Sequence, residues 1–397
     1  MKKDSVQQIK TRLVLNFPGF EPTDSVAQLG RLEYAANNTG KVWHFKTTQS
    51  PIQQIEGQNH IVVNHETIGA NWKSDTKIVQ FRWNDIVHEY EKATFPFGFL
   101  KDSAKYLSFF LDGTIYKYFK ASPRYWGFTI FPILLLAIFA IVSWFGIQTL
   151  ASSFMSQNFG LHILETLIST LILCKLFGKL TYLTTTIADW GFARDMVNQK
   201  NSAIEQRFEE FAKTAAKHIK ASKQDEIIIV GHSFGALWAL AALGKALEKE
   251  PELLNNKKVT FLALGSSILK IALAPNAHYM RNYWNQIVKQ KNLFWHEIQT
   301  KNDWIAFYKS NPFEVSNTQE PMGGLAIERI KFKDGMDRKR YKKMSRSFYT
   351  THRQYILYYD KRVHFDYMLR LFGPFGAKAL AQDKELHLHI DQSGKLV

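Results

Sequence analysis

Apolar residues are spaced in three ways along this chain. Short continuous runs at 13–17 (LVLNF), 60–63, 78–83, 226–230, 258–264 and 293–299 have the length and composition of buried strands. Between them lie segments in which apolar positions recur every third or fourth residue: 24–37, opened by the capping residue Asp24, then 195–221, 234–247 and 277–289. These read as amphipathic helices. Strand followed by helix, repeated, predicts an α/β domain with a doubly wound, mainly parallel sheet. The third pattern has no polar side. Residues 125–156 contain no Asp, Glu, Lys or Arg, and their centre, 132–150 (PILLLAIFAIVSWFGIQTL), is long enough to cross about 30 Å of hydrocarbon as a helix.

A second apolar stretch, 159–174, is shorter and carries His162 and Glu165. It completes a span only if Leu176, Phe177 and Leu180 extend it while Lys175 and Lys179 snorkel. The simplest topology is a transmembrane hairpin turning at 152–158; a re-entrant or interfacial second segment is the other option. Neither flank holds enough strands for a sheet of its own. The hairpin region, 125–183, is therefore expected as an insertion into one α/β domain built from 1–124 and 184–397. Lys101, Lys105, Lys117, Lys120 and Arg124 precede the first span, Lys175, Lys179 and Arg194 follow the second, and the turn is uncharged, which places both flanks in the cytoplasm. The start, MKKDSVQQIKTRLVLNF, has only a brief apolar run, broken by Arg12, and does not resemble a cleavable signal peptide.

Lys and Arg outnumber Asp and Glu by 51 to 35, a formal charge of +16, so an anionic partner is expected. With a hairpin in the chain, that partner is the anionic leaflet of a bilayer. Segment 331–346 holds eight basic and two acidic residues and is either a leaflet-binding loop or a solvated surface run. Nucleic acid is not expected, because no recognised nucleic-acid fold accompanies the charge. Cys174 is the only cysteine, which excludes an intrachain disulfide, and no Cys/His cluster suggests structural zinc. Trp83, Phe95, Phe97, Phe99, Phe109, Phe110, Tyr116, Tyr118, Phe119, Tyr125 and Trp126 form either an interfacial aromatic belt or ordinary core.

The sharpest local signal is Gly231-His232-Ser233-Phe234-Gly235, a G-x-S-x-G pattern between an apolar strand and an Ala-rich helix. There the glycines permit a tight strand-to-helix turn that exposes the serine hydroxyl at the helix N-terminus and aims the Phe234 N–H at a developing oxyanion. A serine needs a base, and the acid and histidine are expected later in the chain, on loops after later strands. Asp303, just beyond the 293–299 strand, is the first candidate for the acid, with Asp360, Asp366 and Glu297 as rivals. His364 is the first candidate for the base, with His352, His387 and His389 as alternatives, whereas His232 is expected to pack or hydrogen-bond beside the elbow. Pro18-Gly19-Phe20, after the first strand, is placed to supply a second oxyanion donor from the Phe20 N–H.

On these residues the chain resembles an α/β-hydrolase of the lipase and esterase kind, over roughly 12–91 and 190–370 but not over the hairpin. It departs from the lipase pattern in lacking a His-Gly dipeptide at the oxyanion loop and a soluble lid after the sixth strand. The resemblance implies a Ser233–His364–Asp303 triad acting on an acyl ester, of a lipid or a small molecule. An acyltransferase with the same acyl-enzyme, or a non-catalytic membrane scaffold of the same shape, are the alternatives. No cofactor or metal is expected. Similarity to membrane-embedded bacterial hydrolases implies an inner-membrane protein with its catalytic domain in the cytoplasm. Because the hairpin follows the 78–83 strand, it is expected near the mouth of the site.

Overall fold

The computed structural model describes residues 8–154 and 159–397. Of the turn expected at 152–158, residues 155–158 lie outside the described residues, as does the start of the N-terminal segment, 1–7. The chain opens with β1 (Thr11–Phe17) and α1 (Ser25–Trp43), and Asp24 caps this helix by accepting from the Val26 and Ala27 N–H groups. β2 (Lys46–Gln49), β3 (Gln53–Gln54), β4 (His60–Ile68) and β5 (Lys73–Phe81) follow. Three helices, α2 (Asn84–Glu91), α3 (Phe97–Leu111) and α4 (Thr114–Ala121), lead into the long apolar pair α5 (Pro123–Phe154) and α6 (Phe159–Phe177). Beyond the pair come α7 (Leu183–Asn198), α8 (Ser202–Ala221), β6 (Glu226–His232), α9 (Phe234–Lys249), β7 (Val259–Leu264), β8 (Leu293–Thr300) and β9 (Leu325–Ile330), with short helices in the remaining connections.

The nine strands among the described residues form one sheet in the order β2-β4-β5-β1-β6-β7-β8-β9, with β3 pairing on β4. Strands from both sides of the apolar pair meet at its centre, where β1 lies parallel to β5 on one side and to β6 on the other. β6, β7 and β8 are buried along their whole lengths, as their continuous apolar runs dictate. Alternation sorts the side chains: Leu13, Leu15 and Phe17 join Phe81, Ile227, Ile229, Phe261 and Trp295 on one face, while Val14 joins Ile78, Ile228, Val230 and Leu262 on the other.

Three elements differ from the pattern reading. β4 runs antiparallel to β5, and its second half alternates buried and exposed residues as a half-solvated edge hairpin does. The helix expected over 195–221 is two helices: Gln199 turns left-handed at φ 50°, and Asn201 caps α8 by accepting from the Ala203 N–H at 3.0 Å. β9 carries Glu328 and Arg329 in a short strand, and its mixed polarity conceals it.

α5 and α6 are long and apolar enough to cross a membrane. They pack on one another and leave Leu134, Ile138, Ile141, Val142 and Phe145 of α5, and Leu164, Leu167, Ile168 and Ile172 of α6, exposed. The aromatic set divides: Trp83, Phe99, Phe109, Tyr118 and Tyr125 are buried core, whereas Phe97, Tyr116 and Phe119 are exposed. Segment 331–346 is a surface element tied down by buried Phe332, Met336 and Met344, with most of its basic side chains outward.

Candidate active site

β6 ends at His232 and α9 begins at Phe234, so Ser233 alone makes the turn. Its backbone sits at φ 57°, ψ −125°, a conformation that costs an L-residue about 1–3 kcal/mol and persists only when its surroundings impose it. Here the Ser233 N–H donates to the Leu264 carbonyl at 3.0 Å, and the Ser233 carbonyl accepts from the N–H groups of Ala236 at 3.1 Å and Ser267 at 3.2 Å. Both elbow glycines are sterically required. A Cβ on Gly231 would lie 2.2 Å from the Ala236 Cα, and one on Gly235 would lie 1.9 Å from the Phe17 carbonyl oxygen. The turn after β1 also comes close, though less so, since a Cβ on Gly19 would meet the Ser233 Cβ at 3.2 Å. Phe20, the next residue, packs its ring on Phe192 and Phe234. Phe234 opens α9, and the first N–H groups of a helix have no acceptor within it.

Asp303 follows β8 and is fully buried. Its Oδ1 accepts from the Ile305 N–H at 2.8 Å, and its Oδ2 lies 2.7 Å from His352 Nδ1. A carboxylate in that position holds the proton on Nδ1 and leaves Nε2 as the basic nitrogen. His352 Nε2 is buried and has no hydrogen-bond partner among the described residues. His352 comes from the helix Phe348–Arg353, capped by Ser347. His232 braces that helix: its Nε2–H donates to the His352 carbonyl at 2.9 Å. Burial and the neighbouring His352 hold the His232 ring well below its ordinary pKa, so it stays neutral.

Ser233, Phe20, Phe234 and His352 line one pocket, together with Gly19, Ser267, Asp189, Lys270, Tyr125, Phe128 and Tyr349. Its enclosed volume is about 60 Å³, space for a few waters. The first turns of α5 supply Tyr125 and Phe128, so the root of the apolar pair is a wall of the site. The helix that carries His352 touches that root, with the Phe348 ring 6.1 Å from Phe128 and 5.9 Å from Phe131.

The histidine expected first as base, His364, does not reach this pocket. Its Nε2 lies 2.7 Å from Glu328 on β9. His296 at 2.9 Å and Arg370 at 3.0 Å share the same carboxylate. Burial pushes the Glu328 carboxyl up, but the hydrogen bonds from His296 and His364 and the charge of Arg370 outweigh it and hold the group well below the usual range. The chain leaves β9, turns back over the edge of the sheet at His352, and by position 364 has moved on to pack against β9. The rival acids are committed elsewhere. Asp360 pairs with Arg340 at 3.0 Å. Asp366 accepts from the Trp43 indole at 3.0 Å. Glu297 accepts from the Trp295 indole at 3.2 Å, and burial pushes it up to about 8. His387 and His389 bond to backbone carbonyls at the surface.

Three further residues at the site escaped the pattern reading. Ser267 places its Oγ 3.4 Å from Ser233 Oγ, and Lys270 and Asp189 form an ion pair at 2.7 Å in the pocket wall. The signal for the last two was present: each is a lone charge in an apolar segment, TTTIADWGFA and SSILKIALA. Among the described residues no group of three or more His, Cys, Asp or Glu side chains is arranged to hold a metal. No protein-family model, curated protein or solved structure matches this chain.

Proposed function

We propose that this chain is a membrane-anchored serine hydrolase of α/β-hydrolase architecture that cleaves an acyl ester. The observation that carries the reading is the buried Asp303–His352 hydrogen bond, with its free Nε2, in the pocket of a serine held on a strained strand-to-helix turn. In this mechanism the Ser233 hydroxyl swings from Ser267 towards His352 and attacks the ester carbonyl, and its proton passes to His352 Nε2. Asp303 keeps the ring oriented and stabilises the imidazolium. The oxygen that gains charge is met by the N–H groups of Phe20 and Phe234. Collapse of the tetrahedral intermediate expels the alcohol, which takes the proton from Nε2. Water, deprotonated by the same nitrogen, then frees the acid and restores Ser233.

The membrane part of the reading rests on α5 and α6, whose exposed apolar faces suit lipid better than water. Basic residues flank both helices, which favours a cytoplasmic catalytic domain against an anionic inner-membrane leaflet. Because Tyr125 and Phe128 wall the pocket, an acyl chain leaving so small a cavity passes directly onto the root of α5. The test is fluorophosphonate labelling of the bilayer-reconstituted protein with mass mapping. The wild type acquires one adduct, on Ser233, and Ser233→Ala acquires none; an unlabelled, folded wild type overturns the proposal.

A further inference from the structure

Three residues lining the Ser233 pocket carry buried polar atoms without a hydrogen-bond partner among the described residues: His352 Nε2, Asp189 Oδ1 and the Tyr125 hydroxyl. The first is accounted for by the proton transfer described above. The other two take no part in it. Native structures rarely leave buried polar atoms unmet unless a ligand or ordered water completes them.

The surroundings of Asp189 define what would complete it. Its Oδ2 is occupied by Lys270 Nζ at 2.7 Å, and the ammonium also lies 3.8 Å from the Trp190 ring centroid and 4.9 Å from that of Phe234. The Lys270 side chain is 2 % exposed and that of Asp189 13 %, so this charge pair is held in place away from bulk water. Burial pushes the Asp189 carboxyl up and the Lys270 ammonium down, and their mutual hydrogen bond opposes both shifts. Because Lys270 already balances the carboxylate, the pocket has little net attraction for a cation. Oδ1 accepts only, so it requires a donor, and a neutral donor fits best. The Tyr125 hydroxyl can donate or accept and suits a second hydroxyl in the same ligand.

We propose that Asp189, fixed by Lys270, and Tyr125 form an alcohol-side subsite that binds free hydroxyl groups of a polyol monoester. This rests on the serine-hydrolase reading, and narrows it from any acyl ester to one whose alcohol portion keeps unesterified hydroxyls beside the scissile bond. Lys270 reaches the same Phe234 whose N–H meets the oxyanion, so the subsite and the reacting carbonyl share a wall.

The probe is a non-cleavable 1-O-alkylglycerol ether, with two free hydroxyls, compared with the alkyl methyl ether of equal chain length, on full-length protein in nanodiscs. Two readouts are taken: protection of Ser233 from fluorophosphonate, and the rise in unfolding temperature. A hydrogen bond to a charged group corresponds to about tenfold or more in affinity, so the diol should act at about one-tenth the concentration of the methyl ether. That preference should fall to near unity in the double variant Asp189→Leu/Lys270→Met, which removes both charges rather than stranding one, and should shrink in Tyr125→Phe. If the double variant does not fold, Asp189→Asn and Tyr125→Phe report the same preference. Equal action of the two ethers on wild type, or an undiminished preference in the variants, overturns the subsite. A wild type that never labels overturns the hydrolase reading separately, and the temperature shift then still decides whether the diol is bound.

Discussion

Among the described residues two histidine–carboxylate pairs have the same 2.7 Å length, Asp303–His352 and Glu328–His364, and their surroundings differ. In the first, Asp303 holds His352 by Nδ1, and the opposite nitrogen has no hydrogen-bond partner among the described residues. In the second, His364 spends its Nε2 on Glu328, which also takes His296 and Arg370. The difference lies in saturation. A carboxylate that orients one ring and leaves its far nitrogen free suits general-base chemistry; a carboxylate shared by two rings and a guanidinium ties segments together. Glu328 joins β8, through His296, and the C-terminal segment, through His364 and Arg370, to β9, which is a structural role.

The largest effect is expected at Asp303. Asp303→Asn leaves the geometry near native but no longer favours the basic tautomer of His352, and the labelling rate should fall by about 10³- to 10⁴-fold; stopped-time labelling measures it. Glu328→Gln should do the opposite. It strands buried Arg370, costs about 3–5 kcal/mol of stability, and leaves the reactivity of Ser233 intact in the fraction that remains folded, as denaturant titration with parallel labelling would show.

Another buried carboxylate, Glu297, shows a smaller effect, because its partner is an indole N–H rather than a cation. Burial raises its folded pKa to about 8, so between the usual carboxylate value and about pH 8 the folded state binds more protons than the unfolded one. Glu297 thus costs stability progressively as pH rises through that window. Relative to wild type, Glu297→Gln should gain stability from pH 5 to pH 8, on the order of a few kcal/mol. Chemical denaturation at the two pH values measures this, and a difference independent of pH would contradict the assignment.

The candidate serine was legible because a continuous apolar strand, 226–230, runs straight into GHSFG, and Asp303 because it lies just past an equally plain strand, 293–299. The histidine was ambiguous for a physical reason. β9 reads as polar because of Glu328 and Arg329, and without that strand the path by which the chain returns to the sheet edge cannot be traced. His352 and His364 both follow it, and only the packing of Phe348 and Tyr349 against α5 and the start of α7 shows which of them turns back. Helix α5 was legible from its lack of charge and α6 from its apolar length, whereas α2 and α4 are only eight residues each, too short for the helical spacing of Ile86, Val87 and Tyr90 or of Ile115, Tyr118 and Ala121 to stand out. Asp189 and Lys270 each stand out as a lone charge in an apolar segment, but they are distant in sequence and their pairing is made only in the folded pocket.

The proposed base is His352 and not His364. The direct measurement is the rate of fluorophosphonate addition to Ser233 in wild type, His352→Ala and His364→Ala, each in bilayers and each checked for a cooperative unfolding transition. Loss of labelling in His352→Ala with retention in His364→Ala is the expected result. Labelling that survives in His352→Ala and disappears in a folded His364→Ala would contradict it.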